Sequence, residues 1–382
     1  CAALLTEEKT ILKNIPDIAD IHSMISILEG LGAETRFSNG VLEINPKNIR
    51  LVRPKDEIVC KMRASILLLG PMLANFGKAE MAFPGGCVLG KRSVVAHTEA
   101  IKAIGYEVEK ASTELKISKS KEEEKFNETR TIIMPEMSVT ATENIIMLAV
   151  KKEGKTIIKL AASEPHVQDL CVFLTGMGAK IKGIGTNNLE IEGVKKLKGT
   201  KYEVTGDYLE AGTFAIAAAV TKGDVEIKGI DPSQLDILWQ KFKEVGVKFE
   251  IGENKIRVFG YERLKSIEML RTAVFPSFPT DLQAPFAVLL TQADGESKVF
   301  ETLFEGRLNY LAELERLGAK VQILNPHQAI IKGPSKLKAL PISSYDIRAG
   351  AAMVIAALIA DGETEVSNIN YLDRGYENLE GK

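Results

Sequence analysis

Six apolar stretches rich in alanine, leucine and isoleucine recur along the chain, and each begins after a polar residue. Most of them are followed by a glycine and then by alternating polar and apolar residues, as at 222–227 and 361–366. This order predicts a buried helix, a glycine at its C-terminal cap and a strand with one buried face. The six predicted helices occupy residues 2–5, 63–74, 141–150, 211–220, 283–290 and 349–360.

A short phrase of the type Gly-Leu-Gly-Ala-Glu occurs five times between these stretches, at intervals of roughly 70 residues. Each copy predicts the end of a second helix and the start of a hairpin, such as 319–331. A period of about 70 residues exceeds the ~20 to 50 residues of a solenoid unit, so each repeat should be a small packed subdomain. Since the chain starts at Cys1 and a further copy would fall beyond Lys382, we expect a segment of a longer protein. The central glycines of the five copies are Gly32, Gly105, Gly178, Gly246 and Gly318.

The composition limits the classes of protein that need to be considered. The chain has 382 residues, 45% of them apolar, which suffices for two domains with separate cores. No apolar run reaches the ~18 to 20 residues of a membrane span, and a net charge of −2 argues against a dedicated nucleic-acid binder. Four cysteines without the spacing of a metal site or a disulfide framework indicate a reducing compartment, so we expect a cytoplasmic protein without a metal. The sequence gives no indication of the oligomeric state.

The candidate chemistry concentrates in a glycine-rich loop at 83–92, Phe-Pro-Gly-Gly-Cys-Val-Leu-Gly-Lys-Arg. Loops on a rigid scaffold are where functional residues gather. Lys91 and Arg92 follow Cys87 within five residues, and nearby cations favour the reactive thiolate form of a cysteine. The alternative is that Cys87 is buried and structural, as free cysteines often are. The spacing alone leaves both interpretations open.

This loop resembles the active-site loop of the UDP-N-acetylglucosamine enolpyruvyl transferase family. Further segments resemble the same family in the same order, so the resemblance covers essentially the whole chain. The Cys87 loop and the Pro-Thr-Asp-Leu-Gln-Ala segment at 279–284 separate this family from its relatives. The other matching segments are Lys-Met-Arg-Ala-Ser at 61–65, Glu-Ala-Gly-Thr-Phe at 210–214, Phe-Glu-Gly-Arg at 304–307, Asp-Ile-Arg-Ala at 346–349 and Asp-Arg-Gly-Tyr-Glu at 373–377.

The resemblance implies a two-domain inside-out α/β barrel, in agreement with six repeats of about 70 residues. It places the first domain, with the Cys87 loop, at 1–205 and the second at 206–382, without that domain's N-terminal strand and C-terminal end. It also implies an enzyme that needs no cofactor and takes phosphoenolpyruvate and UDP-N-acetylglucosamine as substrates. The reaction would transfer the enolpyruvyl group to the sugar 3-hydroxyl and release phosphate, the first committed step of peptidoglycan synthesis.

The resemblance further implies roles for individual residues. Asp281 would take the proton of the 3-hydroxyl as that oxygen attacks carbon 2 of phosphoenolpyruvate, and Cys87 would donate a proton on the other side. Arg92 and Arg374 would hold the phosphate and the carboxylate. The implied catalytic residues are Cys87, Asp281 and Arg374. The implied substrate contacts are Arg63, Arg92, Ser93, Val94, Val95, Ala96, Ser138, Val139, Asp281, Leu303, Arg307 and Arg348.

Without the resemblance, several of these residues have simpler interpretations. Asp281 would be a helix N-cap in competition with Thr280, and Arg63 and Arg348 would belong to surface ion pairs. Four further residues are expected to be structural, the cysteines as parts of the core: His97, His166, Cys60 and Cys171.

The chain also departs from the family's usual pattern. Ser-Val-Val-Ala at 93–96 replaces Pro-Val-Asp-Leu, Glu136 replaces a lysine and Thr140 replaces a glycine. These positions flank the expected uridine site. A Lys-Asn pair that binds phosphoenolpyruvate in the family is expected before Cys1 and has no counterpart among these residues.

Three hypotheses about function follow. The first is an active enolpyruvyl transferase that acts on the nucleotide sugar. The second is a sister enolpyruvyl transferase that acts on a shikimate phosphate, which should lack the cysteine loop. The third is a non-catalytic relative that binds a nucleotide sugar as a sensor or scaffold, which the departures at the uridine site would permit.

Overall fold

The computed structural model describes residues 1–85, 93–111, 113–120, 129–344 and 346–382. Contacts within the chain divide it into two compact units, of which the first ends at Val204 and the second starts at Thr205. Two residues of the predicted site, Cys87 and Arg92, lie outside the described residues. Within the described ranges, every helix is too short or too polar to cross a membrane.

The first unit alternates short helices with small sheets. Its helices are α1 (Ala19–Gly30), α2 (Asp56–Val59), α3 (Leu69–Phe76), α4 (Val95–Ala103), α5 (Val139–Ala149) and α6 (Pro165–Gly176), with 3-10 helices at Ala2–Leu5 and Arg63–Leu68. Its strands are β1 (Thr10–Lys13), β2 (Glu34–Ser38), β3 (Val41–Asn45), β4 (Lys78–Ala82), β5 (Tyr106–Lys110), β6 (Glu114–Lys119), β7 (Thr129–Ile133), β8 (Lys155–Lys159), β9 (Lys180–Lys182), β10 (Asn188–Glu192) and β11 (Lys201–Glu203).

The sheets of the first unit repeat one pairing scheme. Their strand orders are β11-β1-β3-β2, β4-β6-β5 and β7-β8-β10-β9. In each sheet, the strand that follows an apolar helix pairs antiparallel with the second strand of the next hairpin, as β8 does with β10. Strand β7 runs parallel to β8 because α5 carries the chain across between them. Strand β11 pairs in parallel with β1, with Lys201 opposite Ile11, so the last strand of the unit joins the first.

The second unit follows the same order of elements. Its helices are α7 (Tyr208–Val220), α8 (Asp236–Val245), α9 (Gln283–Leu290), α10 (Leu311–Arg316) and α11 (Ile347–Ile359), with 3-10 helices at Pro232–Leu235, Thr280–Leu282, Glu305–Tyr310 and Ile369–Tyr371. Its strands are β12 (Val225–Lys228), β13 (Val247–Gly252), β14 (Lys255–Tyr261), β15 (Met269–Arg271), β16 (Gly295–Phe300), β17 (Lys320–Asn325), β18 (Gln328–Gly333), β19 (Ile342–Ser343) and β20 (Val366–Ser367). The sheets have the orders β12-β14-β13, β15-β16-β18-β17 and β19-β20.

The apolar helices form the interior of each unit. Every residue of α9 is buried, as is every residue of α5 from Ala141 onward, and α7, α9 and α11 pack against one another. Strands such as β14 alternate buried and exposed residues, so one face of the sheet covers the helices. A helix that is apolar on all sides is stable only when other elements surround it. The predicted stretch 283–290 matches α9 residue for residue, and the other five predicted stretches coincide with helices within a few residues.

The repeated glycine phrase has a common conformation at all five positions. The central glycines have φ between 94° and 104°, a region that favours glycine because a Cβ would clash there. In the copy around Gly318, the N–H of Ala319 donates to Leu314 O (3.0 Å), which ends α10. The N–H of Lys338 donates to Leu317 O (2.8 Å) and ties the following strand segment to the same turn. The phrase therefore ends a helix and fixes the path of the chain after the hairpin.

Candidate functional site

Three predicted residues of the second unit form one charged cluster. Arg307 Nη2 donates to Asp281 Oδ1 at 2.9 Å, and Arg348 Nε donates to Asp281 Oδ2 at 3.2 Å. The Arg307 side chain is 3% exposed and that of Arg348 15%, whereas Asp281 remains 28% exposed. The cluster is therefore anchored in the core through its cations and reaches solvent through its carboxylate.

The first turns of the central helices bring these groups together. Asp281 belongs to the 3-10 turn Thr280–Leu282 in front of α9, and Arg348 is the second residue of α11. Neither Asp281 nor Thr280 caps a helix, because Pro279 occupies the N-cap position. The N-cap interpretation of Asp281 is therefore wrong, as is the surface ion pair for the largely buried Arg348.

Tyr376 extends the cluster toward α7. Its hydroxyl accepts from Arg348 Nη1 (3.1 Å) and shares a hydrogen bond with Thr213 Oγ1 (3.2 Å). Burial acts to lower the pKa of the Arg348 guanidinium, but Tyr376, Asp281 and Asp207 outweigh it and raise that pKa well above its ordinary value. Arg348 thus stays charged. Asp207 is the N-cap of α7, so all three central helices of the unit contribute an N-terminal group.

A buried glutamate organises the segment that carries two more predicted residues. Glu301 is fully buried, and its carboxylate accepts from the Thr280 hydroxyl (2.8 Å) and from the N–H groups of Leu303 (2.9 Å) and Phe304 (3.3 Å). It therefore ties the turn that carries Asp281 to the segment that leads into Arg307. The side chain of Leu303 is 39% exposed, and Arg374 is half-buried in the turn that leads to Tyr376.

In the first unit, two contacts fix the chain on either side of the undescribed residues 86–92. Arg63 Nη2 donates to Ser93 O at 2.7 Å. On the other side, the N–H of Gly85 donates to Val59 O at 3.4 Å. A Cβ at Gly85 would lie 1.5 Å from Cys60 O, so only glycine fits this approach. Gly85 and Ser93, on the two sides of residues 86–92, are therefore both bonded to the segment 59–63.

The predicted substrate contacts at 93–96 and 138–139 lie at the starts of two neighbouring helices. Ser93 and Val94 precede α4, and Ser138 is the N-cap of α5 without a side-chain capping bond. His97 in α4 and Thr140 in α5 join these helices through a hydrogen bond of 3.0 Å between Nε2 and Oγ1. Burial, with a smaller contribution from Arg63, lowers the pKa of His97 to about 3, so the imidazole is neutral.

The cysteine expectations need one correction. Cys171 is buried, and burial, with a smaller contribution from Glu143, raises the pKa of its thiol to about 12. Cys60 is exposed rather than part of the core, because α2 ends at Val59 and the chain turns outward there. Its Sγ lies 3.6 Å from Phe83 O.

Sequence reasoning assigned no role to Thr213, Glu301 or Tyr376. Thr213 and Tyr376 were visible within the matching segments 210–214 and 373–377, which could have suggested a role for them. Glu301 and Asn144 stand outside any recognised segment, and only the fold brings them to their partners.

Known proteins resemble this chain over its whole length. The profile of the EPSP synthase family (3-phosphoshikimate 1-carboxyvinyltransferase) matches residues 1–382. The chain is 42% identical over 383 residues to the UDP-N-acetylglucosamine 1-carboxyvinyltransferase of Halothermothrix orenii, covering 100% of this chain and 90% of the relative. It is 40% identical over 390 residues to the enzyme of the same name from Borreliella burgdorferi, again with 100% and 90% covered.

Solved structures show the same fold at lower identity. The enolpyruvyl transferase NikO from Streptomyces tendae superimposes with a TM-score of 0.87 at 20% identity, covering 99% of this chain and 89% of that one. EPSP synthase from Acinetobacter baumannii gives a TM-score of 0.73 at 17% identity, covering 98% of this chain and 91% of that one.

Proposed function

Since this chain belongs to the EPSP synthase family of enolpyruvyl transferases, we propose that it transfers the enolpyruvyl group of phosphoenolpyruvate to the 3-hydroxyl of UDP-N-acetylglucosamine and releases phosphate. The observation that carries this proposal is identity of about 40% over the full chain to relatives that share one name. EPSP synthase structures match at 17% identity, which supports the nucleotide sugar over a shikimate phosphate as the acceptor.

In this proposal, Asp281 is the general base. The sugar 3-hydroxyl attacks carbon 2 of phosphoenolpyruvate and passes its proton to the carboxylate. Each carboxylate oxygen has two lone pairs, so Asp281 can accept the sugar hydroxyl while it keeps Arg307 and Arg348. The two arginines hold the carboxylate in place for this contact.

The remaining assignments complete the addition and the elimination. Cys87 gives a proton to carbon 3 as the new C–O bond forms, and Arg92 and Arg374 balance the charge on phosphate and carboxylate. In the elimination, the Cys87 thiolate takes a proton back from carbon 3 as the bond between carbon 2 and phosphate breaks, which restores the double bond, and the released phosphate carries away the proton that Asp281 had accepted. Arg63 and the residues 93–96, 138–139, 303, 307 and 348 hold the nucleotide sugar.

A coupled assay tests the proposal. The protein is incubated with phosphoenolpyruvate and either UDP-N-acetylglucosamine or shikimate 3-phosphate, and phosphate release and product mass are measured. Phosphate and an enolpyruvyl adduct should form only with the nucleotide sugar. Turnover only with shikimate 3-phosphate would establish the sister activity, and saturable nucleotide-sugar binding without turnover would establish the non-catalytic relative.

A further inference from the structure

The proposed mechanism makes no use of one buried carboxyl group, that of Glu301 directly after β16. Glu301 is fully buried, and its side chain accepts three hydrogen bonds, one from the Thr280 hydroxyl and two from the N–H groups of Leu303 and Phe304. A carboxylate removed from water costs stability unless donors of this kind satisfy it. The three donors therefore hold the side chain of Glu301, and Glu301 in turn holds the two segments that carry them.

The backbone of Glu301 is fixed independently of its side chain. Its N–H donates to His327 O at 2.8 Å, and His327 Nδ1 donates to Glu301 O, also at 2.8 Å. These bonds continue the pairing of β16 with β18, in which Phe300 lies opposite Gln328. Because the sheet holds the main chain of Glu301, its carboxylate is a fixed reference point for the segments that are bonded to it.

One of the three bonds restrains the turn that carries Asp281. Thr280 precedes Asp281 in the 3-10 turn Thr280–Leu282, in which the N–H of Leu282 donates to Pro279 O at 3.1 Å. The contact of 2.8 Å between Thr280 Oγ1 and Glu301 Oε2 links this short turn to the sheet. Since adjacent Cα atoms are about 3.8 Å apart, a shift of Thr280 would move Asp281 with it.

A second bond restrains the arginine that is paired with Asp281. The N–H of Phe304 donates to Glu301, and the Phe304 ring lies against the Arg307 guanidinium, with 5.2 Å between the ring centroid and Cζ. The N–H of Arg307 donates to Phe304 O (3.1 Å), and Arg307 Nη2 donates to Asp281 Oδ1 (2.9 Å). Together with the Thr280 contact, these bonds close a ring that consists of Glu301, Thr280, Asp281, Arg307 and Phe304. A closed ring restrains both the position and the direction of the Asp281 carboxylate.

We propose that Glu301 is a positioning residue for the general base: through this ring it fixes the direction in which Asp281 presents its carboxylate to the sugar 3-hydroxyl. The inference rests on the proposed function. A base that is misplaced by about 1 Å can lower a rate roughly 10²-fold, because proton transfer requires hydrogen-bond distance between the base and the hydroxyl. Opening the ring should therefore slow the reaction while the nucleotide sugar still binds.

Steady-state kinetics of phosphate release with UDP-N-acetylglucosamine tests the ring at Thr280. Thr280→Val keeps the shape of the side chain and removes the donor to Glu301, so kcat should fall about tenfold or more, while KM for the nucleotide sugar should change less than about threefold. Thr280→Ser restores the hydroxyl and should recover most of the lost kcat. The control is Thr302→Val, because the neighbouring Thr302 hydroxyl donates to Thr272 O (2.7 Å), outside the ring, and its loss should leave kcat close to the parent value.

Glu301→Gln tests the other partner of the same bond. A glutamine can still accept from the N–H groups of Leu303 and Phe304, but its amide nitrogen cannot accept from the Thr280 hydroxyl. Glu301→Gln should therefore lower kcat as Thr280→Val does, and the two losses should not multiply in the double variant, because both changes remove one contact. If Glu301→Gln does not fold, the comparison of Thr280→Val with Thr280→Ser decides alone.

Three results would overturn the inference. They are a parental kcat in Thr280→Val, whatever its KM, an equal loss of kcat in Thr302→Val, and losses of kcat that multiply in the double variant. A parent protein that releases no phosphate with UDP-N-acetylglucosamine would instead contradict the proposed function. The ring is then tested by urea unfolding, in which additive losses of stability by Thr280→Val and Glu301→Gln would show that the two residues are not coupled.

Discussion

Replacement of Asp281 by alanine should destabilise the second unit because it removes a partner from buried cations. Arg307 and Arg348 both donate to Asp281, and their side chains are only 3% and 15% exposed. Breaking a buried ion pair from one side costs about 3 to 5 kcal/mol, since the remaining charge stays desolvated. Asp281 itself is 28% exposed, so water can partly replace the carboxylate. We therefore expect the lower end of that range, about 3 kcal/mol.

Thermal and urea unfolding measure this loss. A change of about 3 kcal/mol corresponds to roughly 6 to 12 °C in Tm for a domain of this size. The control is Asp224→Ala, which removes a two-pronged pair with Arg257 (2.7 Å for both bonds) on the surface, where the side chains are 55% and 47% exposed. Such a surface pair should contribute at most about 1 kcal/mol. If Asp281→Ala loses no more stability than Asp224→Ala, the argument from buried cations is wrong.

Kinetic measurements on Asp281→Ala and Asp281→Asn distinguish a general base from a residue that only anchors the substrate. Asp281→Asn keeps the shape of the side chain but cannot take up a proton at neutral pH, so turnover should fall by about 10² or more in both variants. Affinity for UDP-N-acetylglucosamine should change by less than about tenfold, or 1.4 kcal/mol. Loss of affinity with turnover reduced only in proportion would make Asp281 a substrate anchor.

Three further predictions concern other parts of the chain. Gly178→Ala should cost about 1 kcal/mol from its positive φ alone, whereas Gly32→Ala should cost more because its Cβ would lie 2.5 Å from a backbone oxygen; equal losses in chemical unfolding would contradict this. The pKa of His97 is lowered from 6.5 to about 3, so the unfolded state binds the proton more readily and the parent protein should lose up to about 1.4 kcal/mol per pH unit as pH falls from 6.5. His97→Gln should show a shallower loss, and parallel curves would count against a buried neutral ring. Fosfomycin should alkylate Cys87 and spare Cys171, whose thiol pKa is raised to about 12, as peptide mapping by mass spectrometry would show; modification of Cys171 alone would contradict the assignment.

The fold could be predicted from the sequence because the apolar stretches and the glycine phrase recur together, once in each repeat of roughly 70 residues. The expected enolpyruvyl transferase fold is confirmed by the family match and by the solved structures. The stretch 283–290 was assignable because every residue of α9 is buried, which leaves an uninterrupted apolar run between polar residues. The glycines of the phrase were visible because their backbone conformation tolerates little else.

Contacts between residues that are far apart along the chain could not be predicted from the sequence. Nothing local marks Glu301 as the partner of Thr280, or Asn144 as the partner of His97, since these pairs are 21 and 47 residues apart. Cys60 was assigned to the core because its neighbours are apolar, yet the end of α2 turns it outward. The spacing of apolar residues predicts which face of a helix or strand is buried, but it does not predict the residue at which that helix or strand ends.

The burial of α9, and of α5 beyond its first two residues, restricts where this fold can acquire new chemistry. Along α9, and along α5 from Ala141 onward, every residue is buried, so a polar replacement there would cost stability before it reached a ligand. The residues at the helix starts are less restricted. Ser138 and Thr140 at the start of α5 are partly accessible, and Asp281 before α9 is paired with Arg348 in the first turn of α11. Divergence of acceptor specificity should therefore proceed through short segments before and within these turns, while the helices behind them remain unchanged. A library confined to Ser138 and Thr140 would sample new substrates at little risk to folding, whereas Asp281 and Arg348 should be left in place because their buried ion pairs support the second unit.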